Sequence, residues 1–449
     1  MKRMIFSASG LILLLCFCTA IILKNSSLSL PVPARQTGLC ILYTGEEMGV
    51  LEPCGCTDGM LGGFERRHTV IESIKQSQDG VLLLATGNVV SQAGRQDEIK
   101  YQIAISAMKK MGYQAVNIGE KDLTLGVDYL KYVQESFQAP IVCANLISEG
   151  KPLFSQYRIV KIGSLSVGII GVISKKYQYL IDTQEPKLTL LEPQNAIKSV
   201  MKKIKGKVEL VVLLGSMEIE EAKGVLQKFP IIKIALLSSD KDKPLCKMEK
   251  DTSCIIATSS KKSEYVNKIE LYFNQNERKI KDFSFSSIPL SEDIPDSSIM
   301  QQLMDLYQQM IGSEDLVRKV ERKSLEGRKF VGSKTCKSCH ESAYSIWERT
   351  SHSKAYDTLI KKGKPKDPEC LACHTVGFFY ETGFVSEKET PDFIGVGCES
   401  CHGAGSEHIE KHETMGKVEK SSCAKCHTKE KSPNFSFDKY YPKLLHWKE

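Results

Sequence analysis

Four copies of one five-residue pattern constrain this chain more than anything else in it: Cys336-Lys-Ser-Cys339-His340, Cys370-Leu-Ala-Cys373-His374, Cys398-Glu-Ser-Cys401-His402 and Cys423-Ala-Lys-Cys426-His427. Two thiols separated by two residues can each add across one vinyl group of the same porphyrin, and the next residue, His, then lies under the iron as an axial ligand. Paired CxxC zinc ribbons are the competing reading. They require no His directly after the second Cys, and four such coincidences weigh against them. The expectation is four covalently bound c-type haems, with His340, His374, His402 and His427 as proximal ligands.

The surrounding composition fits that expectation. From Val331 to Glu449 the chain carries eight of its 16 cysteines, has few long apolar runs, and holds 18 Lys and Arg against 17 Asp and Glu. Such a segment cannot build a conventional core, whereas packed macrocycles supply apolar discs in its place. Cofactors packed that densely lie within electron-tunnelling range of one another, so electron transfer follows. Outside the motifs the tail has four more histidines, His352, His408, His412 and His446, as many as there are sixth positions to fill. Met415 is a substitute at one iron and would raise its potential. If one of these histidines is not a ligand, an iron stands open to a small molecule and the chain is a catalyst rather than a wire.

The stretch VGSKTCKSCHESAYSIWERTSHSKAY places Trp347 and His352 after the first motif, and GCESCHGAGSEH places His408 six residues after His402. Through these, residues 328 to 430 resemble the multihaem cytochromes similar to the tetrahaem electron carrier of ammonia oxidation. The resemblance implies that such histidines are distal ligands and that the haems are mostly bis-His and of low potential. One open haem is also known in that family type.

The front of the chain reads differently. Short apolar runs at 81–87, 113–119, 139–147, 165–174, 208–216 and 231–239 alternate with helix-like stretches such as 97–111 and 194–206, the rhythm of an α/β domain. Strands that continuously apolar need cover on both faces. Residues 265–288 read as a closing antiparallel hairpin. Asp296 to Lys323 reads as one long, largely polar helix, which makes 293–327 a linker between a domain at 38–292 and a haem domain at 328–449.

The segments ILYTGEEMGVLEPCGC, GGFERRHTVIESI, LLLATGNVV, MGYQAVNIGEKD and VVLLGSMEIEEA resemble the two-metal phosphoesterase domain of 5'-nucleotidases and UDP-sugar hydrolases. Scaffold elements carry the similarity, among them Gly62-Gly63 and Arg66-Arg67. It implies a four-layer α/β/β/α metallophosphoesterase-like sandwich, followed here by a mainly helical or irregular multihaem cytochrome domain. That family holds two metal ions with an Asp-x-His after the first strand, an Asp after Gly at the second, an Asn-His pair at the third and histidines on two later loops. The matching positions in this chain are Glu46 and Met48, then Asn88, then Glu120 and Lys121, then Gly215-Ser216 and Ser238-Ser239. Ahead of Phe330 there is a single histidine, His68. A site that needs several imidazoles cannot be assembled from one, so the metal site reads as degenerate.

Glu52-Pro53-Cys54-Gly55-Cys56 stands where substrate-side loops emerge in that family. Cys54 and Cys56 are a candidate redox dithiol, with structural pairing and metal binding as the other readings. Six non-haem cysteines, Cys40, Cys54, Cys56, Cys143, Cys246 and Cys254, follow the first 34 residues. Cys246 and Cys254 flank a hairpin and are expected to form a disulfide.

Residues 1–34 begin Met-Lys-Arg-Met, continue with an apolar run from Ile5 to Leu23 and end near Val32-Pro33-Ala34, which reads as a signal peptide or a signal anchor. Lipidation at Cys16 or Cys18 is disfavoured because bulky Leu15 and Phe17 precede them. The chain is therefore expected to be periplasmic, either free or held at the inner membrane by that segment alone. Its expected partners are redox proteins or a quinol-linked donor. The net charge of +7 comes without any Arg-rich or aromatic-interleaved stretch, so nucleic acid is not expected. Electron transfer is the leading function. A periplasmic reductase using an open haem or the Cys54/Cys56 pair is the alternative, and a surviving metal-dependent nucleotidase is the least favoured.

Overall fold

Alternation along buried strands decides the front architecture. In Leu39–Thr44 (β1) every residue is buried, with Ile41 and Tyr43 facing one apolar cluster and Cys40 and Leu42 the other. A strand covered on both faces must lie in a central sheet. The computed structural model describes residues 38–54, 59–184, 187–274, 279–429 and 431–446. Residues 1–34, with Cys16 and Cys18, and residue Cys56 lie outside them.

The first sheet holds β1, Val81–Ala85 (β2), Ala115–Asn117 (β3) and Ile141–Val142 (β4) in parallel register. The second contains Tyr157–Ile162 (β5), Leu165–Ile173 (β6), Leu210–Ser216 (β7), Ile232–Leu237 (β8), Cys246–Glu249 (β9) and Cys254–Thr258 (β10), in the order β9-β10-β8-β7-β6-β5. The hairpin Tyr265–Phe273 (β11) and Ile280–Pro289 (β12) then returns to close the first sheet, in the order β12-β11-β1-β2-β3-β4.

Between the sheets, Ile41, Tyr43 and Leu84 meet Val167, Val212 and Leu236. Outside the first sheet, Leu42 and Leu83 pack on Phe64–Ser77 (α1) and Arg95–Met111 (α2). Outside the second, Val211 and Leu213 pack on Pro193–Ile204 (α3) and Ile219–Lys228 (α4). Each fully buried aliphatic side chain contributes about 1.5–3 kcal/mol, and these three clusters hold the bulk of them. The result is the four-layer α/β/β/α sandwich. Local signals agree with it: α2 begins with Asp97 and Glu98 in its first turn and stops at Gly112, in the left-handed conformation at φ 84.

Two expectations need correction. Asp296 to Lys323 is not one linking helix. It forms Ser298–Ser313 (α5) and the short Leu316–Lys319, parted by Asp315 at φ 48. Met300, Met304, Tyr307 and Ile311 of α5 are buried in the cluster shared with α1 and α2, so α5 is part of the front domain's outer layer rather than a spacer. Cys246 and Cys254 are both free thiols. Cys246 stands opposite Ala257, and Cys254 opposite Glu249. The offset is an odd number of residues, so the two side chains project from opposite faces of the sheet, one toward the inter-sheet cluster and the other toward the outer one.

The tail is built from short helices. Its longest among the described residues, Glu341–Glu348, has 8 residues. Val317, Tyr356, Leu359, Leu371, Phe378 and Phe384 form its small apolar cluster. Among the described residues no helix is long and apolar enough to cross a membrane.

Candidate functional site

The spacing Cys-x-x-Cys-His puts three chemically active side chains at positions i, i+3 and i+4, which share one face wherever the backbone is helical. Each motif lies on such a turn. Ser333–Lys337 (α6) leads into the first, Pro368–His374 (α7) and Cys398–His402 (α8) contain the second and third, and Lys420–Ala424 (α10), after Ser406–Lys411 (α9), leads into the fourth. In the first and fourth, His340 and His427 donate their backbone N–H groups to Cys336 and Cys423 over 2.9 Å.

All eight motif thiols are free, and together with all eight tail histidines they line one cavity of about 4050 Å³. A quarter of it, about 1000 Å³, is the size of a large small-molecule site, so the space suits four macrocycles. Three imidazole pairs lie close together on its wall: His340 and His408 at 5.9 Å between ring centroids, His352 and His427 at 6.1 Å, and His402 and His446 at 6.0 Å. Two imidazoles on opposite sides of one metal, each with a bond of about 2 Å, have their centroids about 6 Å apart. His374 faces no second imidazole at that spacing among the described residues. His412 sits exposed at the end of α9 with φ 54, and Met415 is half-buried on the cavity wall.

Tautomers are set locally. The Nδ1–H groups of His374, His402, His408 and His446 donate to the carbonyl oxygens of Ala355 (2.6 Å), Gly416 (3.1 Å), Glu413 (2.5 Å) and Leu444 (2.9 Å). A carbonyl only accepts, so Nδ1 carries the proton and Nε2 keeps its lone pair for a metal. Burial also pushes His352, His374 and His427 below the usual imidazole range, which keeps them neutral. The donors present therefore fit haem. The thiols of the first and third motifs lie against each other at Cys336 and Cys398, and those of the second and fourth at Cys373 and Cys426.

The second motif is seated on the front domain. Lys100 pairs with Glu369 at 2.5 Å, Gln96 donates to Asp367 at 2.9 Å, and Lys364 reaches Glu52 at 2.8 Å. Glu52 and Cys54 belong to one loop that lines the same cavity, and Cys54 is disulfide-bonded, while Cys56, the other member of the candidate dithiol, is outside the described residues.

The positions that would hold metal in the front domain also converge. Gly87 and Gly119 let two loops touch: any side chain on Gly119 would run into Asn88. The amide nitrogen of Asn88 donates to Glu46 at 2.7 Å and to Glu120 at 2.9 Å, and Ser216 donates to Glu120. The Lys121 ammonium lies 3.3 Å from the Glu46 carboxylate and 3.1 Å from the Met48 sulfur. Ser238 and Ser239 instead bond the second sheet's loops, through Gly215 and Ser259. Glu46, Met48 and Asn88 all adopt φ near +60°, between 57° and 61°, a conformation that costs a non-glycine residue of order 1–3 kcal/mol. Asp122, which the sequence reading passed over, helps hold it. This fully buried carboxylate accepts the N–H groups of Asn88, Val90 and Gly119; its only sequence signal is its place two residues after Glu120. A divalent cation does not fit these residues, because a resident cation already contacts the carboxylate that would bind it. Among the described residues no group of three or more His, Cys, Asp or Glu side chains is arranged to hold a metal ion.

Burial pushes the Glu46 carboxyl up to about 7, against the opposing pull of Lys121 and Asn88. The folded chain thus holds this proton more tightly than the unfolded one does. The stability it contributes is full below about pH 4.5 and is lost as pH rises through 7. Between pH 5 and pH 8 the front domain should lose up to about 3 kcal/mol from this group. Scanning calorimetry of Glu46→Gln should show a flatter pH profile over that range, and parallel profiles would disprove the assignment.

The fold and these motifs define a phosphoesterase-fold domain joined to a c-type cytochrome segment. The model of the cytochrome c554 and c-prime family matches residues 335–403. Cytochrome c-554 of Nitrosomonas europaea is 34% identical over 127 residues, which cover 24% of this chain and 54% of that protein. The 5'-nucleotidase of Bos taurus is 27% identical over 215 residues, covering 43% of this chain and 36% of that protein. Among solved structures, a 5'-nucleotidase precursor from Thermus thermophilus superposes with a TM-score of 0.53 at 17% identity, covering 64% of this chain and 61% of that one. The calcineurin-like phosphoesterase YfkN from Bacillus subtilis does so with 0.51 at 16% identity, covering 60% of this chain and 96% of that one. The chain thus spans about half of its cytochrome relative and about a third of its nucleotidase relative, fusing the two kinds of domain.

Proposed function

We propose that the chain is an exported multihaem c-type cytochrome that passes electrons between redox partners outside the cytoplasmic membrane. The observation that carries this reading is the set of three imidazole pairs near 6 Å inside one cavity that all eight motif cysteines line. His340 with His408, His427 with His352 and His402 with His446 would hold three of the haems, and His374 would hold the fourth. Bound haem supplies reversible one-electron chemistry at iron. The protein's part is to fix each imidazole by its Nδ1 hydrogen bond and to stack the first motif on the third and the second on the fourth. The front domain acts as a docking or binding module rather than a hydrolase, since Lys121 stands where a metal would have to act. Export follows from residues 1–34, which leave the chain periplasmic or held at the inner membrane.

A second reading has its own support. With His374 alone to hold it, a haem at the second motif would leave room for a small molecule, beside the front-domain loop that carries Glu52 and Cys54. That makes a periplasmic reductase the alternative.

Intact mass and electron paramagnetic resonance, on protein made in a host with c-type maturation machinery, test both. Four haem additions with three low-spin irons and one high-spin iron are expected. Fewer additions would overturn the fourfold attachment. A shift of the high-spin signal on adding nitrite, hydroxylamine or sulfite would favour the reductase, and its absence the wire.

A further inference from the structure

The second residue of the third motif, a glutamate between half-buried Cys398 and Ser400, faces inward. Glu399 is 3% exposed, and Glu399 forms no ion pair among the described residues. Its carboxylate instead collects backbone N–H groups from two other segments. One oxygen accepts Val331 at 3.0 Å and Gly405 at 2.8 Å, and the other accepts Val331 at 3.1 Å and Gly332 at 2.8 Å. A buried carboxylate with no cation is expensive unless its lone pairs are filled, and here three amide dipoles fill them.

What these amides belong to gives the residue its meaning. Gly332 is the N-cap of α6, which carries Cys336 and leads to His340. Gly405 is the N-cap of α9, which carries His408. Glu399 itself lies on α8, between Cys398 and Cys401. One side chain therefore ties the first motif, the third motif and the helix of the distal ligand into a single frame. The tie is reinforced beside it: Ser333 Oγ accepts the Cys398 N–H at 3.1 Å, and Lys329 and Ser406 exchange backbone and hydroxyl bonds at 2.9 and 3.2 Å.

We infer that Glu399 is a positioning residue that holds His408 opposite His340, so that the iron of the first motif stays six-coordinate. The inference rests on the proposed pairing of these two imidazoles. Gln in its place keeps one accepting oxygen but turns an NH2 group toward backbone N–H donors, and Ala removes both oxygens. In either case the N-terminal end of α9 is left with fewer ties, those to Lys329 among them, and His408 is held less firmly at 5.9 Å from His340.

The test compares Glu399→Gln, Glu399→Ala and His408→Ala, each matured with haem, by haem count, electron paramagnetic resonance and carbon monoxide uptake of the reduced protein. Four haems should stay attached in all three. His408→Ala should double the carbon monoxide bound per chain, and the Glu399 variants should show the same new high-spin signal, smaller for Gln than for Ala. If His408→Ala opens an iron while both Glu399 variants keep the parent spectrum, the positioning role is refuted and the pairing stands. If His408→Ala itself changes nothing, the pairing falls and this inference falls with it. Should Glu399→Ala fail to accumulate, the Gln variant decides alone, because it is nearly equal in size and keeps one acceptor.

Discussion

His352→Ala should convert the iron of the fourth motif from low spin to high spin, raising the high-spin share from one iron in four to two. His352 is half-buried in the tail, its ring 6.1 Å from that of His427, and desolvation lowers its pKa and favours the neutral, ligating form. Its backbone carbonyl also accepts the Val396 N–H at 2.9 Å, while Trp347 Nε1 donates to Val396 from the other side. The strand of chain carrying His352 is thus fixed by bonds that survive the change to Ala, and the expected effect is confined to the lost ligand. Exchange of a strong imidazole donor for an open position raises the potential of that haem. A redox titration should therefore show one component moved upward and the others in place. His412→Ala is the contrast: exposed at the end of α9, it should leave the spectrum as it was. Equal spectra for the parent and His352→Ala, or a new high-spin signal in His412→Ala, would show that the pairing is wrong.

How much of this the sequence carried depends on range. The four motifs are local, and thiols and imidazole at i, i+3 and i+4 announce their chemistry without any fold. The front sandwich is legible because buried strands are continuous apolar runs, and the absence of histidine at the positions matching a two-metal site can be read from the sequence itself. Pairings over distance are not legible. Nothing near His352 points to His427, and the Cys246/Cys254 expectation failed because register along the hairpin, not proximity in sequence, decides which face each thiol takes. The helix α5 shows a different failure. Its apolar stripe of Met300, Met304, Tyr307 and Ile311 has the spacing of a buried face, but it is diluted by polar residues that look like a solvated linker. Glu399 left no trace at all, since a glutamate between two haem cysteines is buried only because three distant N–H groups meet there.

Lys121→Glu should strongly destabilise the front domain. In the parent, Glu46 is 2% exposed, and its carboxylate has the Lys121 ammonium at 3.3 Å as its nearest cation. Asn88 then spans Glu46 and Glu120 with one amide group. Reversing the charge places a third carboxylate beside two that share one neutral donor, with no cation left among them. Breaking a buried pair costs about 3–5 kcal/mol; Lys121 is 27% exposed, so water softens the loss toward the lower end. The same reversal assembles hard oxygen donors of the kind that manganese or calcium takes. Two results are therefore expected together at pH above 7, where Glu46 is charged. In the presence of a chelator the variant should melt well below the parent, and millimolar manganese should return part of the loss. The parent should show no shift with manganese, and no phosphate release from nucleotides with or without it, because its own ammonium fills that role. Manganese-dependent stabilisation of the parent would mean that Lys121 moves aside for a metal and that the phosphoesterase centre still functions. A variant as stable as the parent in chelator would mean that the ammonium faces solvent and that Glu46 is compensated by Asn88 alone.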